Sequence, residues 1–225
     1  MNFYIVVEGP CDKRVYKDWI SYVNPNISYV DYLTDLKENN YFIVSGRGFP
    51  QYEETIVDGI ETVNLSDKID RFVIGIDAGE MSHVEKYLEI QSVINAHPCK
   101  AEVFIIVQFF CLETWALGNK EIIRKKIQSQ ELIRLVNHYD VRIFDPASIP
   151  AWPEKYRTRE KLAKRYLQLA INDLVPSKSY HESNPLFICT ENYFRQIRNR
   201  FMENQIQSFG KFIEAFMFNN NGNSK

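Results

Sequence analysis

The sequence predicts an α/β protein with a mostly parallel sheet and flanking helices, followed by a helical C-terminal extension. Short apolar runs rich in β-branched and aromatic residues alternate with amphipathic segments as far as about residue 117, which is typical of βα units. Two of these runs, 3–7 and 72–76, are followed at once by an acidic residue, Glu8 and Asp77. Each therefore indicates a buried strand that ends in a carboxylate.

The elements of the first half follow from apolar periodicity and breaker residues. Pro10 is a favourable first-turn residue, and the helix after it ends at Asn24-Pro25-Asn26. The apolar side of this helix is formed by Val15, Tyr16, Trp19, Ile20 and Val23. The remaining predicted order is extended segments at 27–32 and 41–44, a helix at 51–63, a strand at 71–76, a helix at 82–95 and a strand at 102–107.

The second half is predicted to be mainly helical. Short helices are expected at 119–126 and 131–138, one more strand at 141–144, a Pro-rich loop at 145–153, and helices at 159–174, 191–205 and 208–218. We divide the chain into a domain at 1–118, a helical subdomain at 119–218 and a disordered polar tail at 219–225. A single domain with a helical extension is an equal alternative.

Composition limits the classes of protein. The chain has 225 residues, of which 45% are hydrophobic and 25% charged, so it is globular. Its net charge of −2 means that any surface for nucleic acid must be local. Four cysteines without a CxxC spacing indicate reduced thiols. With no apolar run near a membrane span and no basic segment before the first strand, we expect a cytoplasmic protein with no membrane partner.

The acidic residues at the strand ends are candidate metal ligands. Ligands of open parallel sheets bind beyond the carboxyl ends of the strands, and carboxylates gathered there suit Mg²⁺. Glu8, Asp12 and Asp77 are the first candidates. For Asp12, capping of the following helix is the structural alternative.

These residues carry a resemblance to a known family. The run Val6-Val7-Glu8-Gly9-Pro10-Cys11-Asp12-Lys13, with a later strand ending in Asp77, resembles the TOPRIM domain, the Rossmann-like metal-binding module of topoisomerases, primases and some nucleases. It is most similar to TOPRIM nucleases of the OLD (overcoming lysogenization defect) type. The resemblance covers roughly residues 1–117 of this sequence.

The resemblance implies roles for individual residues. Glu8 would be a metal ligand or general acid/base, Asp12 a second ligand on the first helical turn, and Asp77 the first acid of the family's DxD motif. The second acid of that motif is absent, because Gly79 stands there. Glu80 would replace it as a metal ligand, with a first-turn helix acid as the alternative.

The implied catalytic set is completed by Glu113, which follows the next strand. The resemblance thus assigns catalysis to Glu8, Asp12, Asp77 and Glu113, with Mg²⁺ or Mn²⁺ as the cofactor. The turn containing Gly46, Arg47 and Gly48 would face the phosphate groups of the substrate.

Basic side chains in the second half are candidates for substrate binding. Lys161, Lys164 and Arg165 share one face of the predicted helix at 159–174, and phosphate contacts dominate affinity for nucleic acids. Lys178 lies in a loop, and Arg198 lies between Arg195 and Arg200 in a second basic group. A solvated helix face is the structural alternative.

Two functions stay open at this point. The first is a Mg²⁺-dependent nuclease acting on DNA or RNA, which the resemblance links to bacterial defence against phage. The resemblance also implies an ABC-type ATPase, which would be a separate subunit because the chain has no GxxxxGK[ST] phosphate loop. The second is a catalytically degenerate module that binds nucleic acid, nucleotide or a regulatory protein, which Gly79 favours. A homo-oligomer is compatible with either.

Overall fold

In the computed structural model, residues 1–46, 48, 51–178 and 180–217 are described. They contain a five-stranded sheet, all parallel, in the order β2-β3-β1-β4-β5. The strands are β1 (Phe3–Val7), β2 (Ser28–Tyr29), β3 (Asn40–Ser45), β4 (Arg71–Asp77) and β5 (Glu102–Gln108). The predicted α/β class with a helical C-terminal region is confirmed.

Eight α-helices surround this sheet within the described residues. They are α1 (Pro10–Val23), α2 (Gln51–Leu65), α3 (His83–Ala96), α4 (Leu112–Ala116), α5 (Gln130–His138), α6 (Arg159–Leu174), α7 (Glu191–Met202) and α8 (Phe209–Phe216). Local sequence explains several boundaries. Ser82 caps α3 by accepting from the backbone N–H of Glu85 at 3.2 Å, and the proline at position 10 begins α1.

Alternating side chains of β1 divide the core between the two faces of the sheet. Phe3, Ile5 and Val7 belong to one apolar cluster, and Tyr4 and Val6 belong to the other, as expected for a strand that is buried on both faces. Helices α2 and α3 cover the second face, whereas α1 and the C-terminal helices cover the first.

The C-terminal helices share the core of the sheet. On α8, Phe216 packs against Phe3 of β1 with ring centroids 5.6 Å apart, and Phe212 packs edge-on against Tyr16 of α1 at 5.0 Å. A single apolar cluster therefore spans the predicted boundary near residue 118. The predicted tail, 219–225, lies outside the described residues.

Two elements predicted in the second half are wrong. Residues 141–144 form turns and not a strand, since the N–H groups of Ile143 and Phe144 both donate to the carbonyl oxygen of Asp140. Only a 3₁₀ turn, Lys120–Ile122, replaces the helix predicted at 119–126. The N–H groups of residues 142–144 bond to Asp140 and those of residues 121–122 bond to Asn119. Both segments are therefore closed by local turn bonds, which apolar periodicity does not reveal.

No helix among the described residues is long and apolar enough to cross a membrane.

Candidate active site

The carboxyl edge of the sheet brings together the acidic residues that follow β1 and β4. These strands are parallel neighbours with Val7 opposite Gly75, so Glu8 and Asp77 lie within one residue of each other in register, at the same edge of the sheet. The backbone N–H of Asp77 donates to Oε2 of Glu8 at 3.2 Å. The pairing register thus places two carboxylates from distant sequence positions at one rim.

Asp12 reaches the same rim from the first turn of α1. Its Oδ2 accepts from the backbone N–H of Gly9 at 3.1 Å, so it completes the helix cap. Its Oδ1 accepts from Nε2 of Gln108, the last residue of β5, at 3.5 Å. Capping and participation in the acidic cluster therefore coexist in one side chain.

Glu113 enters from α4 and is only 2% exposed. The Tyr180 hydroxyl donates to its Oε1 at 2.7 Å. The same hydroxyl lies 3.7 Å from the Cys11 sulfur. A segment far along the chain thus fixes the orientation of the fourth carboxylate.

Lys164 of α6 supplies positive charge next to the acidic cluster. Its Nζ contacts Glu160 at 2.7 Å and Glu182 at 2.8 Å. Burial lowers its pKa, but the charge of Glu113 and the hydrogen bonds to Glu160 and Glu182 outweigh burial and raise the pKa above the ordinary lysine range. The ammonium group is therefore held in its charged form.

These groups line one cleft of about 580 Å³. Its lining consists of Glu8, Gly9, Pro10, Cys11, Asp12, Ser45, Gly46, Gly48, Asp77, Glu113, Lys164 and Glu182. The cleft contains all four acids assigned to catalysis and two of the three turn residues assigned to substrate. The third, Arg47, lies outside the described residues.

Burial and mutual repulsion disfavour full ionisation of the cluster. Desolvation, followed by the charges of Glu113 and Glu8, raises the pKa of Asp12 to about 7. Desolvation and then the charges of Asp12, Glu8 and Glu113 raise the pKa of Asp77 well above its usual range. Burial also raises the pKa of Glu8. A bound cation or bound protons would reduce the repulsion between these carboxylates.

The donor types fit a hard divalent cation. Oδ1 of Asp77 is buried and has no hydrogen-bond partner among the described residues, and the same holds for Oε1 of Gln108 and for the Tyr16 hydroxyl. No group of three or more His, Cys, Asp or Glu side chains in the described part of the chain has the spacing of a preformed metal site. The fit is therefore one of donor chemistry and charge and not of preformed coordination.

Glu80 is not brought into the cleft. Its carboxylate accepts from the backbone N–H of Arg159 at 2.6 Å and pairs with the Arg159 side chain at 3.1 Å, at the start of α6. The glycine just before Glu80 explains the separation. Gly79 has a φ of +58° and donates its N–H to the Phe110 carbonyl at 2.8 Å, which turns the chain away from the rim.

The other basic candidates are distributed over several surfaces. Lys161 and Arg165 line a neighbouring groove, where Arg165 pairs with Glu131 at 2.6 Å. Lys178 lines a separate cavity of about 500 Å³. Arg198 is exposed on α7 and lines none of these cavities.

The expectation that Arg200 helps to hold a substrate is wrong, because its side chain is 1% exposed. Its guanidinium donates to the carbonyl oxygens of Phe144 at 2.7 Å and Val141 at 2.8 Å. Burial lowers its pKa. Its spacing of three residues after the apolar Ile197 was the available signal that it lies on the buried face of α7.

Three residues of the site, Gln108, Tyr180 and Glu182, were not among those predicted from the sequence. A glutamine that ends a buried strand beside two acidic strand ends is a local signal for Gln108. Glu182 and Tyr180 join the cleft only through tertiary packing, so no local pattern predicts their positions.

The comparisons with known proteins give no match: no family model fits the chain, and neither the curated proteins nor the solved structures contain a significant relative. The class of protein that fold and site define is an α/β protein with an acidic cleft at the carboxyl edge of a parallel sheet.

Proposed function

We propose that this chain is a Mg²⁺- or Mn²⁺-dependent TOPRIM-type nuclease that hydrolyses phosphodiester bonds of DNA or RNA. The observation that carries the proposal is the meeting of Glu8, Asp12, Asp77 and Glu113 with Lys164 in one cleft. Carboxylates that raise one another's pKa in a cleft are candidates for function on general physical grounds.

The proposed chemistry follows from charge. Asp12 and Asp77 would hold the divalent cation, which would neutralise the phosphodiester and make a bound water a better nucleophile. Lys164 would contact a non-bridging phosphate oxygen, because its ammonium group is charged and lies on the lining of the cleft. We assign Glu8 to accept the proton of the attacking water, since its Oε2 is oriented by the Asp77 backbone N–H.

Two residues support this arrangement without contacting the substrate in our assignment. Tyr180 fixes the Glu113 carboxylate by its 2.7 Å hydrogen bond, and Gln108 holds Asp12. Glu113 in turn keeps Lys164 in its charged form. The positions of the reacting groups thus depend on α4, α6 and the segment around residue 180.

The proposal is tested with supercoiled plasmid and tRNA in the presence of Mg²⁺ or Mn²⁺. Wild type should remove the supercoiled or full-length band, and Asp77→Asn should not. The matched control is Glu61→Gln, which removes an exposed carboxylate of α2 outside the cleft. Thermal unfolding of each variant checks folding. Equal cleavage by wild type and Asp77→Asn would refute the assignment.

The resemblance to OLD-type nucleases extends the proposal to biology. We place the protein in the cytoplasm as a toxic effector of anti-phage defence that acts with a separate ABC-type ATPase. The chain has no phosphate-loop motif of its own, which supports a separate subunit as the source of ATPase activity.

A second candidate is a non-catalytic module that binds nucleic acid, a nucleotide or a regulatory protein. Gly79 in place of the second DxD acid favours it, as does the lack of a preformed metal group among the residues that the structure describes. Binding of oligonucleotide without cleavage in any divalent metal would support this candidate over the nuclease.

A further inference from the structure

A second groove, of about 390 Å³, opens beside the acidic cleft. It is lined by Pro10, Lys13, Arg14, Lys17, Tyr29, Glu182, Ser183, Asn184, Pro185 and Leu186. Pro10 and Glu182 line the acidic cleft as well, so the two depressions adjoin each other. The first helix therefore presents Asp12 to the cleft and its next residues to the adjoining groove.

Three cationic side chains of α1 face this groove. Lys13 and Lys17 are partly exposed and Arg14 is exposed. Among the described residues none of the three forms an ion pair. Lys17 Nζ instead lies 3.8 Å from the centre of the Tyr29 ring, and this contact holds it at the groove wall.

The charges of this groove differ from those of the basic face of α6. There, Lys164 is ion-paired with Glu160 and Glu182, and Arg165 is ion-paired with Glu131. Uncompensated cations concentrated on one helix of a chain whose net charge is −2 indicate a local site for a polyanion. The sequence alone gives no signal that Lys13, Arg14 and Lys17 border the cleft.

The dimensions fit one nucleic-acid strand. Lys13 and Lys17 are four residues apart, which is about 6 Å along a helix axis, so they are far enough apart to contact different phosphates of one strand. The groove is bounded on its other side by residues 182–186. A channel enclosed on two sides accommodates a single strand more readily than a duplex.

We propose that this groove binds the sugar–phosphate backbone of a single nucleic-acid strand next to the bond held in the cleft. The inference rests on the proposed nuclease function and adds the form of the substrate and the direction in which it leaves the site. A further groove, which contains Lys161 and Arg165, shares Lys164 and Glu182 with the cleft.

The test measures binding and not cleavage. Fluorescence anisotropy of labelled oligo-dT and oligo-U is recorded in EDTA at several salt concentrations, with the double substitution Lys13→Gln/Arg14→Gln. The matched control, Lys125→Gln/Lys126→Gln, removes two adjacent exposed charges that line neither the groove nor the cleft. Both double variants carry the same net charge, so a nonspecific effect of charge would affect them equally.

The α1 variant should bind more weakly than wild type and the control. The slope of log K against log salt should fall by about 0.7 for each lost phosphate contact, or about 1.4 for two. Equal slopes for the two variants, or no binding of either oligonucleotide by wild type at low salt, would overturn the proposal. Tighter binding of a duplex than of single strands, with the same sensitivity to the α1 substitutions, would overturn the single-strand assignment.

These outcomes are separate from the outcome for the nuclease. EDTA removes divalent metal, so the binding test does not depend on cleavage. Binding through α1 without any cleavage would support the groove proposal and refute the nuclease proposal. Cleavage by wild type together with equal binding by the two double variants would support the nuclease proposal and refute the groove proposal.

Discussion

Replacement of Arg200 by methionine tests whether this arginine is structural. Its guanidinium donates to the carbonyl oxygens of Phe144 at 2.7 Å, Val141 at 2.8 Å and Arg142 at 3.3 Å. Hydrogen bonds from a charged donor contribute about 1.5–3 kcal/mol each, and relief of the buried charge offsets part of their loss. We expect Arg200→Met to lower the free energy of unfolding by about 3 kcal/mol.

Urea unfolding followed by tryptophan fluorescence measures this change, because Trp19 and Trp115 are both fully buried. With a urea dependence of about 2–3 kcal/mol per M, the midpoint should fall by about 1–1.5 M. The matched variant Arg198→Met removes an exposed arginine of the same helix and should change stability by less than about 0.5 kcal/mol. Equal midpoints for the two variants would refute the structural assignment of Arg200.

Three further predictions concern the cleft and its supports. The folded-state pKa of Asp12, about 7, lies above the ordinary value of about 3.9, so the stability linked to its protonation is lost as pH rises through 7. Asp12→Asn should therefore raise the urea midpoint of metal-free protein at about pH 8 more than at about pH 5. The same difference in midpoint between variant and wild type at both pH values would contradict the raised pKa. Glu80→Gln should keep most of the cleavage rate while lowering the melting temperature slightly, because Glu80 pairs with Arg159 outside the cleft. Loss of cleavage by a folded Glu80→Gln variant would show instead that Glu80 acts in the site. Gly75→Ala would place a Cβ 2.5 Å from the Tyr16 hydroxyl, and this overpacking should lower the free energy of unfolding by about 1–3 kcal/mol. The urea midpoint should fall accordingly, and an unchanged midpoint would contradict the prediction.

The sheet was predictable because its strands are apolar runs bounded by clear turn signals. The first strand was predicted at the residues where it occurs, 3–7, and the strand that ends at Asp77 differed by one residue. Parallel pairing then requires Glu8 and Asp77 to share one edge, so half of the acidic cluster followed from the pattern.

The remaining features depend on contacts between distant segments. Tyr180 reaches Glu113 across 67 positions, and no local periodicity predicts such a contact. Arg200 reads as a surface arginine by residue type, although its helical position beside Ile197 places it on the buried face. The basic groove was not predicted, because the charged residues of α1 form a groove only together with residues 182–186, which pack beside them.

The central claim is that the acidic cleft binds a divalent cation through Asp77 and its neighbours. Isothermal titration of metal-free protein with Mn²⁺ tests it most directly, with Asp77→Asn and the exposed-acid control Glu61→Gln measured alongside. We predict saturable binding by wild type and Glu61→Gln that is lost or greatly weakened in Asp77→Asn. Identical titrations for wild type and Asp77→Asn, or no Mn²⁺ binding by wild type, would contradict it.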